Sequence, residues 1–272
     1  MRFIWRCPIL LGIVLATCLI GYTGFVGSNL FSRFSFSDTF RSSNIDTIRG
    51  KHYDLLVCAG APAAKWKANQ DPEKDLAVLG HLIENLADVR TAEAILISTV
   101  DVYPVTQGVD ESYDCRGQSN HAYGRNRLYL ENAFAELFPR SQIVRLPGLF
   151  GPGLKKNVIY DLLHDNCLQA INSESVFQYY DVSRLWEDLR LVRGSGLSLV
   201  NLSSEPIATK EILDAYFPEK KAGPGSGPPV CYDIRSLHAG LFGGTDGYCF
   251  DRHTVLDSLG KFIEMSRRGD IV

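Results

Sequence analysis

The 272-residue sequence contains no C-x-x-C pair. Its seven cysteines, at positions 7, 18, 58, 115, 167, 231 and 249, are odd in number and scattered. That pattern is neither a disulfide framework nor a cysteine zinc site, and it indicates a reducing, cytoplasmic setting. The six histidines show no metal-ligand spacing, so no metal is expected. An excess of one charge is also lacking: 28 Lys and Arg stand against 31 Asp and Glu, a net charge of −3. Such a balance removes any global electrostatic drive toward nucleic acid or an anionic membrane. No internal repeat is present, and the only segment without packing residues is KAGPGSGPP at 221–229. The contents are those of an ordinary globular chain. The hydrophobic fraction of 45% and charged fraction of 22% exclude disordered and fibrous classes. At roughly 150 residues per domain the length allows one to two domains.

One stretch departs from that balance. No charged residue occurs between Cys7 and Ser32. Arg2 and Arg6 precede a mostly apolar run at 7–20, which is the order of a signal peptide or membrane anchor. The run is shorter than the ~20 residues needed to span a bilayer. It also passes directly into Gly21-Tyr22-Thr23-Gly24-Phe25-Val26-Gly27, not into a small-residue cleavage site and a polar start. A buried parallel strand, apolar on both faces, accounts for 15–20 better. Residues 1–14 remain an extension for which an anchor or export signal is the alternative.

Apolar runs ended by small residues then predict strands at 37–41, 53–60, 94–100 and 142–146. Between them, helices are expected at 28–34, from Asp71-Pro72 to about Leu86, and at 121–138. Strands alternating with helices imply an α/β fold with a mostly parallel, doubly wound sheet covered on both faces. The later half is less regular. Helices are expected at 158–167, 210–217 and 252–267, with strands at 177–182 and 197–202. This suggests a Rossmann-type domain over 15–152 and a smaller, interleaved substrate-binding region over 153–272.

Gly21, Gly24 and Gly27 form G-x-x-G-x-x-G between the first strand and first helix. The first glycine permits a tight turn, the second lets backbone N–H groups approach a pyrophosphate, and the third allows close helix–strand packing. In this context the sequence GYTGFVGSNL resembles the cofactor fingerprint of the extended short-chain dehydrogenase/reductases, the sugar-nucleotide epimerases, dehydratases and reductases that use NAD or NADP. Further segments are similar in order: Val57-Cys58-Ala59-Gly60-Ala61, Asp71-Pro72, Ile97-Ser98-Thr99-Val100-Asp101-Val102-Tyr103, Tyr123-Gly124-Arg125-Asn126-Arg127 and Arg145-Leu146-Pro147-Gly148-Leu149-Phe150-Gly151-Pro152. The likeness covers about residues 15–185.

The resemblance implies that Gly21, Gly24, Phe25, Val26, Gly27, Cys58, Ala59, Gly60 and Pro147 border the dinucleotide. It implies a proton-transfer role for Tyr123, assisted by Thr99 and Arg127, the last standing where the family carries Lys. Tyr123 and Arg127 are four residues apart, so on a helix they share a face. A cation there favours phenolate over phenol. Arg keeps the charge but presents a wider fork than Lys, so a binder without turnover is the second reading. No acid follows the second strand to bind a ribose 2′-OH. Arg41 stands there instead and could meet a 2′-phosphate, which tilts NAD or NADP toward NADP, with Asp46 as the remaining acidic candidate. Lys155, Lys156, Asn157 and Gln178, with Tyr180 and Arg184, are candidates for a nucleotide-linked sugar. The lysines read equally well as a solvated helix start. Nucleic acid and membrane are not expected partners, and a homodimer is left open.

Overall fold

A computed structural model describes residues 15–225 and 227–270. The extension at 1–14, and with it the anchor reading, lies outside the described residues. Six strands form one parallel sheet: β1 (Thr17–Ile20), β2 (Asp38–Phe40), β3 (His52–Cys58), β4 (Arg90–Thr99), β5 (Ser141–Leu146) and β6 (Leu199–Asn201). Their spatial order is β6-β5-β4-β3-β1-β2. The central segments of the strands are mostly apolar because both faces are covered. Leu19, Leu55, Val57, Ile95 and Ile97 enter one core. Their neighbours Cys18, Ile20, Leu56, Cys58 and Leu96 enter the other. The period-two alternation thus distributes apolar side chains between two cores, with no solvent-facing side.

Helices supply the outer layers. On the first face lie α1 (Phe25–Arg33) through Leu30, and the later helices α5 (Val158–His164), α6 (Leu185–Ser195), α7 (Thr209–Tyr216) and α8 (Arg252–Arg268). On the second face lie α3 (Pro72–Leu86) through Leu79, Leu82 and Leu86, and α4 (Ala122–Leu137) through Leu130 and Phe134. A short helix, α2 (Lys65–Gln70), precedes α3. The start of α3 was legible: Asp71 accepts a hydrogen bond from Lys74 N–H, and Pro72 occupies the first turn.

The doubly wound parallel sheet is therefore the one expected, with local differences. Helix α1 begins at Phe25, three residues earlier than expected, because Gly24 serves as its N-cap. The predicted strand at 177–182 is two short pieces, Val176–Phe177 and Tyr179–Asp181, in different small sheets. They part at Gln178, which turns its amide inward. The helix expected at 158–167 stops at His164, since Asp165 and Cys167 take φ of 52° and 49°. Helices α2 and α6 had no sequence expectation. The chain winds from β1 outward to β2 and then crosses back to β3, so connections leave the carboxyl ends of β1 and β3 in opposite directions. A crevice opens at such a switch point.

Candidate functional site

The crevice is lined by the glycine turn. Gly21 N–H donates to Phe40 O at 2.7 Å, and Ala59 N–H donates to Ile20 O at 2.9 Å, so the ends of β1, β2 and β3 are tied together. Gly21 has φ of +86°, and a Cβ there would lie 2.3 Å from Ala59 O. A Cβ on Gly27 would lie 2.1 Å from Gly21 O. Both positions exclude any side chain. Helix α1 has no side-chain cap and no acid in its first turn. The amides of Phe25, Val26 and Gly27 therefore have no intrahelical acceptor and carry the positive end of the helix dipole. Cys58 is fully buried, and burial pushes its thiol up to about 11, so only its backbone can face a ligand. Ala59, Gly60 and Pro147 are half-buried at the strand ends. A compact diphosphate fits this arrangement, and these features suit a dinucleotide.

Beside it lie the three residues proposed for chemistry. Thr99 ends β4, and its Oγ1 accepts from Asp101 N–H at 3.2 Å, leaving the hydroxyl proton free to donate. The adjacent Ser98 points elsewhere and donates to Glu131 Oε1 at 2.5 Å, within the buried Glu131–Arg145 pair. Gly124 brings the helix to the strand: a Cβ there would lie 2.3 Å from Asp101 O. Asn120 reinforces the junction by donating to Asp101 O and Val102 O at 3.1 and 3.0 Å. The first turn of α4, with Tyr123, is thereby fixed against the segment that carries Thr99.

Arg127 departs from expectation. Its guanidinium lies 4.3 Å from the Tyr123 ring centroid, as helical spacing requires. It is not a free cation, however. Nη1 and Nη2 donate to the two Asp75 oxygens at 2.8 and 2.9 Å, and Nη2 also donates to Pro62 O. Asn126 adds a bond to Asp75 at 2.9 Å. Arg127 is 2% exposed and Tyr123 is 8% exposed. Burial raises the Tyr123 phenol above its ordinary value, and Arg127 only partly opposes this. The expected lowering of the phenol by its helical cation is thus corrected: desolvation wins. Arg127 Nε is buried without a partner among the described residues, and it is the donor of the fork that a ribose hydroxyl could take.

The second-half candidates separate. Gln178 is fully engaged: Nε2 donates to Ser204 O at 2.5 Å and Ile234 O at 2.8 Å, while Oε1 accepts from Ile234 N–H. The amide is buried and its bonds all go to backbone groups of the protein. Asn157 caps α5, accepting from Ile159 and Tyr160 N–H and donating to Leu149 O. Its side chain is thus also engaged within the protein, and its φ of 123° shows the turn is constrained. Tyr180 is buried against Asp188 at 2.6 Å, and Arg184 is bound to the same carboxylate. Lys155 is exposed. Lys156 reaches across to Ala63 O, and desolvation together with nearby Lys67 holds its ammonium below the usual lysine value. Arg41 follows β2, exposed, with no side-chain hydrogen bond among the described residues. Asp46 instead meets His81 at 3.1 Å. A cluster that sequence reasoning missed joins the halves: Asp101 binds Lys65 at 2.8 Å and accepts from Tyr232 OH at 2.9 Å. Lys65 and Tyr232 carry no local motif that would have marked them. A cavity of about 190 Å³ bordered by Arg184, Glu205, Tyr248 and Phe250 includes none of the glycine turn, Tyr123 or Arg127.

No protein-family model matches the chain, and no curated protein matches it. Solved structures do. A UDP-glucose 4-epimerase with UDP-glucose, from Thermotoga maritima, superposes with a TM-score of 0.72 at 13% identity over 93% of this chain and 99% of that one. TunA, an NAD-dependent NDP-hexosamine 5,6-dehydratase of tunicamycin biosynthesis, gives 0.72 at 15% over 93% and 98%. RMD from Pseudomonas aeruginosa, complexed with NADPH, gives 0.70 at 16% over 93% and 99%. The chain has the Rossmann-type α/β fold of these sugar-nucleotide epimerases, dehydratases and reductases.

Proposed function

We propose that the protein binds a nicotinamide dinucleotide in the Gly21–Gly27 crevice and acts on a nucleotide-linked sugar, as an oxidoreductase, epimerase or dehydratase of the extended short-chain type. The observation that carries this is the pairing of a side-chain-free phosphate turn with a buried tyrosine fixed beside the end of β4. The amides of Phe25, Val26 and Gly27 would hold the pyrophosphate. Arg127 Nε would reach a ribose hydroxyl, and Arg41 favours a 2′-phosphate. The dinucleotide, when bound, supplies or accepts hydride. Thr99 donates to the reacting substrate oxygen and orients it, and Tyr123 exchanges the proton at that oxygen. Lys156 and Lys155 are proposed contacts for the substrate diphosphate. The six described cysteines are unpaired, which supports the proposed cytosolic setting. Binding of NAD(H) and NADP(H), followed by fluorescence quenching and thermal protection, tests the reading. Absence of both signals at millimolar dinucleotide would refute it.

One observation favours a second reading, a dinucleotide-binding sensor without turnover: Arg127 spends its fork on Asp75. It predicts cofactor binding with no hydride transfer to any nucleotide sugar, and gain of activity in Arg127→Lys would identify an impaired enzyme.

A further inference from the structure

A carboxylate outside every motif has the closest hold on the proposed chemistry. Asp75 lies on α3, 9% exposed, and grips the Arg127 fork through both oxygens. We propose that Asp75 sets the protonation of Tyr123: it holds the Arg127 guanidinium over the phenol ring and offsets part of its charge, so that Tyr123 enters the reaction as a proton donor. This rests on the reading of Tyr123 as the proton-transfer group.

The charges around the phenol arrive in balanced pairs. Its own helix contributes Arg127, which α3 neutralises with Asp75. The turn after β4 contributes Asp101, which α2 neutralises with Lys65 at 2.8 Å. Tyr232 also bonds Asp101, Arg125 lies on the same helix, and His121 is 6.3 Å away between ring centroids. Its Nδ1 accepts from Gly124 N–H, and burial and Lys65 hold its pKa below the ordinary value, so the imidazole is neutral at pH 7. At the phenol Arg127 is thus opposed by Asp101 and Asp75, and these add to burial in holding the phenol above its ordinary value. A lone cation at 4.3 Å would favour phenolate, whereas a bidentate pair presents a dipole of much shorter reach.

A donor phenol suits the reductive direction. There the carbonyl carbon of a keto sugar gains a C–H bond from a reduced nicotinamide, which is oxidised. The C=O π pair moves to oxygen, and the Tyr123 O–H bond breaks to protonate it. Water then reprotonates the phenolate. Asp75 is a positioning residue in this scheme and does not touch substrate.

The test is the Tyr123 titration, followed by ¹⁹F NMR of fluorotyrosine-labelled full-length protein and assigned with Tyr123→Phe. Asp75→Asn leaves Arg127 uncancelled and should raise the phenol ionisation constant roughly tenfold. Because a buried unpaired guanidinium threatens folding, the neutral double variant Asp75→Asn/Arg127→Gln is the deciding measurement. It should keep the phenol within about threefold of the parent, since the cation and the carboxylate that offsets it are removed together. A roughly tenfold fall in the ionisation constant of the double variant would overturn the proposal, because Arg127 would then have been acting as a free cation. The titration needs no dinucleotide, so a protein that binds none would refute the proposed function while leaving this result readable.

Discussion

Gly27 packs so closely against the carbonyl of Gly21 that a Cβ on residue 27 would fall 2.1 Å from that oxygen. Gly24 is less confined, with a Cβ position 3.3 Å from the same oxygen and an ordinary φ of −80°. The two glycines should separate stability from binding. Gly24→Ala is expected to unfold within a few degrees of the parent yet bind dinucleotide at least tenfold more weakly. Gly27→Ala is expected to lose both, because backbone meets backbone and neither can yield. Thermal unfolding with and without dinucleotide checks the pair; equal behaviour of the two variants would remove the phosphate-turn argument.

The proposed lean toward NADP rests on Arg41. Arg41→Ala should weaken NADP(H) roughly tenfold, the worth of a charge-assisted hydrogen bond, and leave NAD(H) within twofold. Dissociation constants for both dinucleotides from fluorescence titration give the ratio. A variant that loses the two equally would show Arg41 to be a surface residue.

Gln178 should matter to stability and not to ligand. Gln178→Leu strips partners from Ser204 O, Ile234 O and Ile234 N–H in a buried site. The expected loss is about 2–4 kcal/mol in denaturant unfolding, with nucleotide-sugar affinity unchanged for the fraction that stays folded. A stable variant with weakened ligand binding would return Gln178 to the substrate site.

Asp75 also gives the acid limb of stability a sign. Burial pushes its carboxyl up, but hydrogen bonds from Arg127 and Asn126 outweigh this and hold it below the usual carboxylate range. The unfolded chain therefore takes the proton first. The stabilisation is fully present above ~4 and is lost as pH falls through the folded value. Urea midpoints measured from pH 6 to pH 3 should fall more steeply in the parent than in Asp75→Asn/Arg127→Gln. Parallel slopes would mean that the pair carries no acid sensitivity.

Much of this architecture could be read from local pattern. The buried cores of the strands, 18–20, 55–58 and 94–97, are continuous apolar runs for the reason that both faces are covered, and the glycine spacing marked the crevice between them. Tyr123 and Arg127 were singled out by the family resemblance of the segment at 123–127, and their four-residue spacing added only that they share a helix face. What surrounds Arg127 was not, because its partners come from Pro62 and Asp75, more than fifty residues away. A signal existed: Asp75 stands in helical phase with Leu79, Leu82 and Leu86, so a carboxylate was placed on the buried stripe of α3 and required a partner. The intramolecular partners of Gln178 and Asn157 were hidden for a similar reason. A polar residue near an expected pocket says nothing about whether backbone groups from Ser204, Ile234 or Leu149 will claim it first.

The sixth strand has a bearing on synthesis. Leu199–Asn201 closes the sheet beside β5, with Val200 opposite Val144, so the last strand is delivered more than fifty residues after its neighbour. A nascent chain that has emerged only as far as β5 presents an open hydrogen-bonding edge flanked by Ile143, Val144 and Leu146. Such an edge is a template for association with other chains. Truncations ending near residue 150 should therefore accumulate in inclusion bodies, while those that retain β6 and α6 keep the edge capped.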